Sequence, residues 1–268
     1  MLWLTRIKER DAYTAEHCLR VAIFTIAFAR FIGLPDEDLE TAGLCGLLHD
    51  IGKLKVPDRI LNKPGPLTPE EYAVMQAHTL LGHQLLLKEP GLDRIISDVT
   101  LHHHERMDGR GYPGQLPEHQ ISRFARLVAI IDAYDAMTSD RCYRDGMPPA
   151  DAVRLLYRNR GDQFDADLVE SFIRLIGIYP PGSLVELNTG EIALVISTHP
   201  ARKLRPKVEI LLDADKRPRT PLVIDLGNQP EQGDSLREIH APLPDGAYDV
   251  SLQERIRQLM VKPDNNAS

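Results

Sequence analysis

The sequence predicts a mainly α-helical protein, in which a helical bundle is followed by a small β-rich C-terminal module. Between residues 13 and about 178, apolar residues recur at helical spacing, and glycine- and proline-rich segments separate the runs. After Pro180-Pro181-Gly182 the pattern changes to the alternation that is typical of strands. A chain of 268 residues with 43% hydrophobic content can bury one substantial core and leaves room for a small second module.

One helix of the bundle has a clear start signal. Thr68 precedes Pro69 and Glu71, which together supply an N-cap, a proline at the first helical position and the glutamate of a capping box. The helix that begins here is expected to carry, on one face, Val74, His78, Leu81 and Leu85.

The β-rich module is predicted from three segments. Residues 183–197 alternate and are interrupted by Asn188-Thr189-Gly190, which suits a hairpin turn. Residues 207–212 and 221–226 look like two further short strands. We therefore predict a helical domain over residues 1–179, a β-rich module over residues 180–262 and a disordered tail over residues 263–268.

Composition and charge exclude several function classes. The net charge of -7 and the isoelectric point near 5.8 disfavour a protein that binds nucleic-acid polymers, because their phosphates attract a clustered positive surface. The three cysteines lie far apart without a CxxC pair, so neither a disulfide framework nor a cysteine zinc site is indicated. The apolar run at residues 21–29 is too short to span a membrane, and no signal peptide is apparent. We expect a cytoplasmic protein without a membrane partner.

Five separate sites in the helical region supply side chains that can bind metal ions. They are His17, His49-Asp50, His78, His103-His104 and Asp132. The His49-Asp50 pair follows an apolar run, and Asp132 interrupts another, so both are expected to be buried. A buried carboxylate is unfavourable unless a cation compensates it, and Asp135 adds a second one a single turn after Asp132. Imidazole and carboxylate ligands without thiolates suit iron, manganese or zinc, and a carboxylate such as that of Asp50 can bridge two ions.

Four segments together resemble the HD-GYP phosphodiesterases, and they extend from residue 11 to residue 144. They read DAYTAEHCLRVA from Asp11, HDIGKLKVPDRILNKPGPLTPEEYAVMQAHTLLG from His49, HHERMDGRGYP from His103 and ARLVAIIDAYDAMTSDRCYR from Ala125. The resemblance implies an HD-type helical bundle. It also implies a metal-dependent phosphodiesterase that hydrolyses the bacterial second messenger cyclic di-GMP to pGpG, to GMP or to both.

The same resemblance implies a set of site residues. The implied metal ligands are His17, His49, Asp50, His78, His103, His104 and Asp132. The implied catalytic residues are Asp50 and Lys53, since Lys53 matches the lysine of the family's HDxxK motif. Family members hold two or three metal ions, commonly iron or manganese. Members with three carry a glutamate one turn before the first histidine, where this chain has Tyr13, so we expect two ions.

A mechanistic hypothesis follows from this ligand set. Two ions would hold a bridging hydroxide for in-line attack on the phosphodiester, and Lys53 would neutralise charge on the phosphoryl group. The candidate substrate contacts are Lys53, Asp135, Arg141 and Arg144. The two arginines are expected to bind the second phosphate or a guanine edge, although cations at a helix end also favour the helix dipole.

The glycine-rich loop that contains Gly111, Tyr112 and Pro113 has, in the family, been linked to recognition of GGDEF-type cyclase domains. Proteins with such domains are therefore candidate partners, and a homodimer is left open. Met107 departs from the tryptophan that is usual in the family at this position.

Two other functions are left open. Another HD-superfamily phosphohydrolase would act on a different cyclic dinucleotide or nucleotide. A scaffold would bind cyclic di-GMP or a GGDEF domain without catalysis. A single histidine such as His78 is more often a packed core residue than a ligand, but the complete ligand set favours an enzyme.

Overall fold

The computed structural model describes residues 11–139, 146–199, 202–229, 236–244 and 246–251. The chain divides into two compact units, Met1–Asp145 with Leu155–Leu175 and Gly146–Arg154 with Ile176–Ser268. The predicted domain limits at residues 179 and 262 stay predictions. Arg141, Arg144 and the predicted tail lie outside the described residues.

The described residues form the expected helices. They are α1 (Ala12–Phe31), α2 (Asp36–Leu48), α3 (Asp58–Leu61), α4 (Pro69–Gln76), α5 (His78–Leu86), α6 (Arg94–His102), α7 (Arg123–Thr138), α8 (Pro149–Arg158) and α9 (Ala166–Ile176), with a 3-10 helix at Ile51–Lys55. In these ranges, no helix combines the length and the apolar composition that a membrane span requires.

The capping box at the start of α4 is confirmed. The Thr68 hydroxyl accepts from the Glu71 N–H at 3.3 Å, and the Glu71 carboxylate accepts from the Thr68 N–H at 2.8 Å. The single helix that we predicted beyond it is wrong, because α4 ends at Gln76 and α5 begins at His78. As a result Val74 is 40% exposed, whereas His78 is buried. Local capping signals determine where a helix begins, but packing against other elements determines where it ends.

Aromatic packing joins three helices of the first unit. The ring of Phe28 on α1 lies 5.3 Å from that of Phe172 on α9, and Tyr134 on α7 lies 5.3 Å from the same ring. Phe28 and Phe172 are fully buried. This cluster fixes α7 next to α1, which places two of the predicted ligand-bearing helices side by side.

The β-rich part of the chain is confirmed as a small antiparallel sheet. Among the described residues it has five strands, namely β1 (Leu184–Leu187), β2 (Ile192–Ser197), β3 (Lys207–Leu212), β4 (Pro218–Asp225) and β5 (Ile239–Leu243). Their order in the sheet is β4-β3-β2-β1-β5. The predicted hairpin turn joins β1 to β2, where the Gly190 N–H donates to the Leu187 carbonyl at 2.9 Å.

Two strands differ from the sequence prediction. β4 begins at Pro218, three residues before the predicted start, and β5 was not predicted. β5 is short and contains Pro242, and among the described strands it pairs with β1 alone, at an edge of the sheet. Proline is tolerated at a sheet edge but breaks the alternation that marks a strand in a sequence.

Candidate metal centre

The predicted metal ligands lie on separate elements that meet in the interior of the first unit. His17 is on α1, His49 caps the C-terminal end of α2 with Asp50 next to it, His78 begins α5, His103 and His104 follow α6, and Asp132 is on α7. His17, His49, Asp50, His78 and His103 are each at most 3% exposed. His49 and Asp50 are therefore buried as predicted, whereas Asp132, which we also expected to be buried, has a side chain that is 15% exposed.

A close backbone contact at Gly52 holds two of these elements together. A Cβ atom added to Gly52 would lie 1.8 Å from the His78 carbonyl oxygen and 2.5 Å from the Gly82 nitrogen. Only glycine fits at this position, and its absent side chain lets the turn after Asp50 rest directly on the start of α5.

Main-chain carbonyls fix the orientation of three histidines. The Nδ1 atom of His49 lies 2.7 Å from the Gly46 carbonyl, that of His78 lies 2.7 Å from the Met75 carbonyl, and that of His103 lies 3.0 Å from the Thr100 carbonyl. A carbonyl oxygen only accepts, so each Nδ1 carries the proton and donates. In the neutral ring each Nε2 atom then presents a lone pair. Burial lowers the pKa of His103 well below its ordinary value, which keeps that ring neutral.

These lone pairs face other acceptors at short range. The Nε2 atoms of His78 and His103 are 3.5 Å apart, and the Nε2 atom of His78 is 3.2 Å from Asp50 Oδ1. Within the described part of the chain, His49 Nε2 and Asp50 Oδ1 are buried without a hydrogen-bond partner. Buried acceptors that converge without a shared proton are unfavourable, and a cation placed among them relieves that cost. The donor set therefore fits divalent metal ions.

Asp50 lies at the centre of the cluster. Its Oδ2 atom is 2.5 Å from Lys53 Nζ, 3.3 Å from His49 Nε2 and 3.8 Å from His17 Nε2. Burial disfavours the charged carboxylate, but the Lys53 ammonium outweighs that effect and holds the pKa of Asp50 well below its usual range. An ionised carboxylate with one oxygen towards His78 and the other towards His17 and His49 could be shared by two cations.

Among the residues that the structure describes, three overlapping groups of side chains have ligand atoms within 4.8 Å of one another. They are Asp50, His78, His103 and His104; His17, His49 and Asp50; and His49, His103 and Asp132. All seven predicted ligands occur in these groups. Asp50, His49 and His103 each belong to two of the groups, so the three groups form one connected cluster.

A second carboxylate lies behind His17. The Asp135 Oδ2 atom is 2.7 Å from His17 Nδ1, and Arg20 donates to Asp135 from Nε at 2.7 Å and from Nη2 at 3.0 Å. The opposite ring atom, His17 Nε2, is 3.1 Å from Asp132 Oδ1. Burial opposes the charged imidazole, but Asp132 and Asp135 outweigh it and raise the pKa of His17 to about 9. For Asp135, this placement favours orienting His17 over the predicted contact with substrate.

Substitution of Asp135 by asparagine is expected to weaken metal binding by about 10- to 100-fold, the usual cost of losing a group that orients a ligand. The measurement is competition with a chelator, and the melting temperature of the same samples reports on the fold. Asp98→Asn is the matched control, because Asp98 lies 2.8 Å from Nδ1 of His102, a histidine outside the cluster. Equal metal affinity in Asp135→Asn and wild type would contradict the orienting role.

The loop after His104 is held by a carboxylate that the sequence reading did not single out. Glu105 is 4% exposed, and its two oxygens accept from the Gly114 N–H at 2.6 Å and the Leu116 N–H at 3.0 Å. A Cβ atom on Gly111 would lie 2.4 Å from the Glu105 Cα atom, so the loop packs directly against the main chain of Glu105. An acidic residue directly after two histidines and before a glycine-rich loop was the available signal.

This anchored loop packs on one of the candidate ligands. The ring of Tyr112 lies 4.7 Å from the ring of His104, and the ring of Tyr72 on α4 lies 6.4 Å from that of Tyr112 in an edge-on arrangement. The Tyr112-Pro113 peptide bond is cis, and Pro113 is exposed. The predicted Gly111-Tyr112-Pro113 loop therefore supports His104 and presents Pro113 at the surface.

A cavity of about 850 Å³ opens beside the cluster. His103, His104 and Asp132 form part of its lining, and its wall includes Tyr72, Gln76, Arg106, Arg110, Tyr112 and Gln115. This volume lies in the range of sites that hold small-molecule ligands. The cavity therefore gives a small molecule access to the candidate metal-binding side chains.

Comparison with known proteins places this geometry in a family. The model of the HD domain matches residues 8–168, and the model of a KOW domain associated with HD domain matches residues 184–232. The chain is 44% identical, over 85% of its length, to a cyclic di-GMP phosphodiesterase of Pseudomonas aeruginosa, and it covers 55% of that protein. It is 33% identical, over 65% of its length, to 3'3'-cGAMP-specific phosphodiesterase 3 of Vibrio cholerae, of which it covers 38%.

A solved structure agrees in fold. The HD domain of the phosphodiesterase PgpH from L. monocytogenes, in complex with cyclic-di-AMP, superposes with a TM-score of 0.50 at 19% identity. The match covers 65% of this chain and 93% of that one. The chain spans about half the length, or less, of the curated relatives it matches. The HD domain match extends over more than half of the chain, and together with the named relatives it shows that the protein belongs to the HD domain family, as a member of the HD-GYP type.

Proposed function

We propose that this protein is a metal-dependent phosphodiesterase that hydrolyses cyclic di-GMP to pGpG, to GMP or to both. The observation that carries the proposal is the buried cluster around Asp50, which holds unpaired acceptors and has three members, His103, His104 and Asp132, in the wall of an open cavity. The similarity to a cyclic di-GMP phosphodiesterase over 85% of the chain supports the choice of substrate.

The proposed cofactor is a pair of divalent metal ions, iron or manganese. The proposed ligands are His17, His49, Asp50, His78, His103, His104 and Asp132, with Asp50 as the bridge. Tyr13 supports a count of two. Its ring stacks parallel to that of His17, with the centroids 6.2 Å apart, and it offers no carboxylate for a third ion.

The chemistry divides between the ions and the side chains around them. Divalent ions bound at this centre would stabilise the negative charge on the phosphodiester oxygens and lower the pKa of a bound water towards about 7. Asp50 stays ionised because the Lys53 ammonium is 2.5 Å away. The partly exposed Lys53 also places a positive charge beside the centre, where it can neutralise the phosphoryl group during attack. Asp135 and Arg20 hold His17 in one orientation, so that its Nε2 atom faces the centre.

Hydrolysis of a cyclic GMP-AMP dinucleotide is the second candidate function, because a relative of that specificity is 33% identical. A non-catalytic scaffold is disfavoured, because all seven candidate ligands are present and brought together. A cytoplasmic location, GGDEF-domain partners at the Gly111-Tyr112-Pro113 loop and a homodimer remain predictions from the sequence.

The test is a substrate panel with protein purified anaerobically and loaded with iron or manganese. Cyclic di-GMP, 3'3'-cGAMP, cyclic di-AMP and cyclic mononucleotides are compared by kcat/KM, with the products separated by chromatography. We expect kcat/KM for cyclic di-GMP to exceed the others by about tenfold or more. Turnover of mononucleotides alone would refute the proposal, and binding of cyclic di-GMP without product would favour the scaffold.

A further inference from the structure

The charged residues that line the cavity differ in whether their side chains already form hydrogen bonds or ion pairs within the protein. Arg106 donates to both oxygens of Asp108, at 3.0 and 2.7 Å, and Glu105 accepts two main-chain N–H groups. Asp132 belongs to the ligand cluster. In the described ranges, the guanidinium of Arg110 has neither a hydrogen bond nor an ion pair, although it lines the cavity and is exposed. The guanidinium of Arg110 is thus available to bind a ligand in the cavity.

The backbone that carries Arg110 is firmly placed. Its N–H donates to Asp108 Oδ1 at 3.0 Å, and the next residue, Gly111, lies against Glu105 without room for a Cβ atom. The Glu105 carboxylate anchors the following turn of the loop. An arginine on an anchored loop loses less freedom when it binds than one on a mobile segment, so its contact contributes more to affinity.

The neighbours of Arg110 in the cavity wall are typical of a site for a base. Tyr72 is 49% exposed and offers aromatic surface, and Gln76 and Gln115 offer amide groups. The N–H groups of an arginine pair with O6 and N7 of guanine, whereas adenine presents an amino donor in place of O6. A cavity with an aromatic ring and an uncommitted guanidinium therefore discriminates between the two purines.

We propose that Arg110 is a specificity-determining residue that binds the O6 and N7 edge of one guanine of the dinucleotide, away from the phosphodiester that reacts. This inference rests on the proposed function. Arg110 selects guanine over adenine, while the ligand cluster performs the hydrolysis whichever base is present.

The test compares kcat/KM for cyclic di-GMP and cyclic di-AMP in wild type, Arg110→Ala and Arg110→Lys, each with its metal content measured. Arg110→Ala is expected to lower kcat/KM for cyclic di-GMP by about 10- to 100-fold and to affect cyclic di-AMP much less. Arg110→Lys keeps the positive charge, but a lysine ammonium cannot donate the two parallel hydrogen bonds of a planar guanidinium. This variant should therefore not restore the preference for guanine. Arg123→Ala is the matched control, because Arg123 is exposed and lines other cavities.

The outcomes separate this inference from the proposed function. If wild type does not hydrolyse cyclic di-GMP, the proposed function fails. If wild type does hydrolyse it, an equal loss on both dinucleotides in Arg110→Ala, or full recovery in Arg110→Lys, shows a contact with phosphate only and overturns the guanine assignment. Unchanged kinetics in Arg110→Ala overturns the inference altogether.

Discussion

Substitution of Asp50 by asparagine is expected to lower turnover by about a thousandfold or more, well beyond the 10- to 100-fold cost of losing a group that only orients a ligand. The carboxylate lies within 4 Å of Lys53, His17, His49 and His78, so its charge acts on several members of the cluster. Asparagine has nearly the same volume, and the surrounding helices should keep their packing. The measurement is kcat/KM of metal-loaded protein, with circular dichroism to confirm the fold.

Two further variants complete this experiment. His49→Ala removes a fully buried candidate ligand and should abolish turnover as Asp50→Asn does. Asp98→Asn changes a carboxylate that pairs with His102 outside the cluster, and it should leave kcat/KM close to that of wild type. Unchanged activity in either Asp50→Asn or His49→Ala would be fatal to the ligand assignment.

Substitution of Gly52 by alanine is expected to lower the free energy of unfolding by about 3 kcal/mol or more, the upper end of what overpacking costs. The added Cβ atom would meet the His78 carbonyl oxygen at 1.8 Å and the Gly82 nitrogen at 2.5 Å, and neither main-chain atom can move without shifting α5. The same shift would separate His78 from Asp50 and weaken metal binding. Chemical denaturation measures the first effect and chelator competition the second.

Gly33→Ala is the matched control for this prediction. Gly33 has a φ of +76°, but a Cβ atom there meets nothing within 4 Å. Its substitution should therefore cost about 1 kcal/mol, from backbone strain alone. Equal destabilisation by the two substitutions would show that the close contact at Gly52 has no special importance.

The burial of His49 and Asp50 could be predicted from the sequence because they follow an apolar run, although the same kind of signal at Asp132 overstated its burial. His49 and Asp50 follow such a run, Asp132 stands inside another, and the structure brings both places together. The capping box at Thr68 could also be predicted from the sequence, because its hydrogen bonds join two residues that are three positions apart. Signals of this kind depend on the residue itself and its near neighbours.

The remaining features depend on packing between distant segments. Asp135 lies 118 residues from His17 in sequence, and only the packing of α7 against α1 shows that it orients this histidine. Glu105 precedes a glycine-rich loop, but its partners are the main-chain N–H groups of Gly114 and Leu116, and side-chain identity does not specify these. The break of the predicted helix at Ala77 lies beside the contact between Gly52 and His78. For Asp135 and for the break at Ala77, the decisive partner lies on another element.

We propose that paired cations stabilise the buried imidazole and carboxylate groups around Asp50. The most direct measurement is the metal content of protein purified without oxygen, together with its melting temperature before and after a strong chelator. We expect about two iron or manganese ions per chain, and a clear fall in melting temperature when they are removed. Protein that holds only trace metal, melts at the same temperature with chelator and still hydrolyses cyclic di-GMP would contradict the claim.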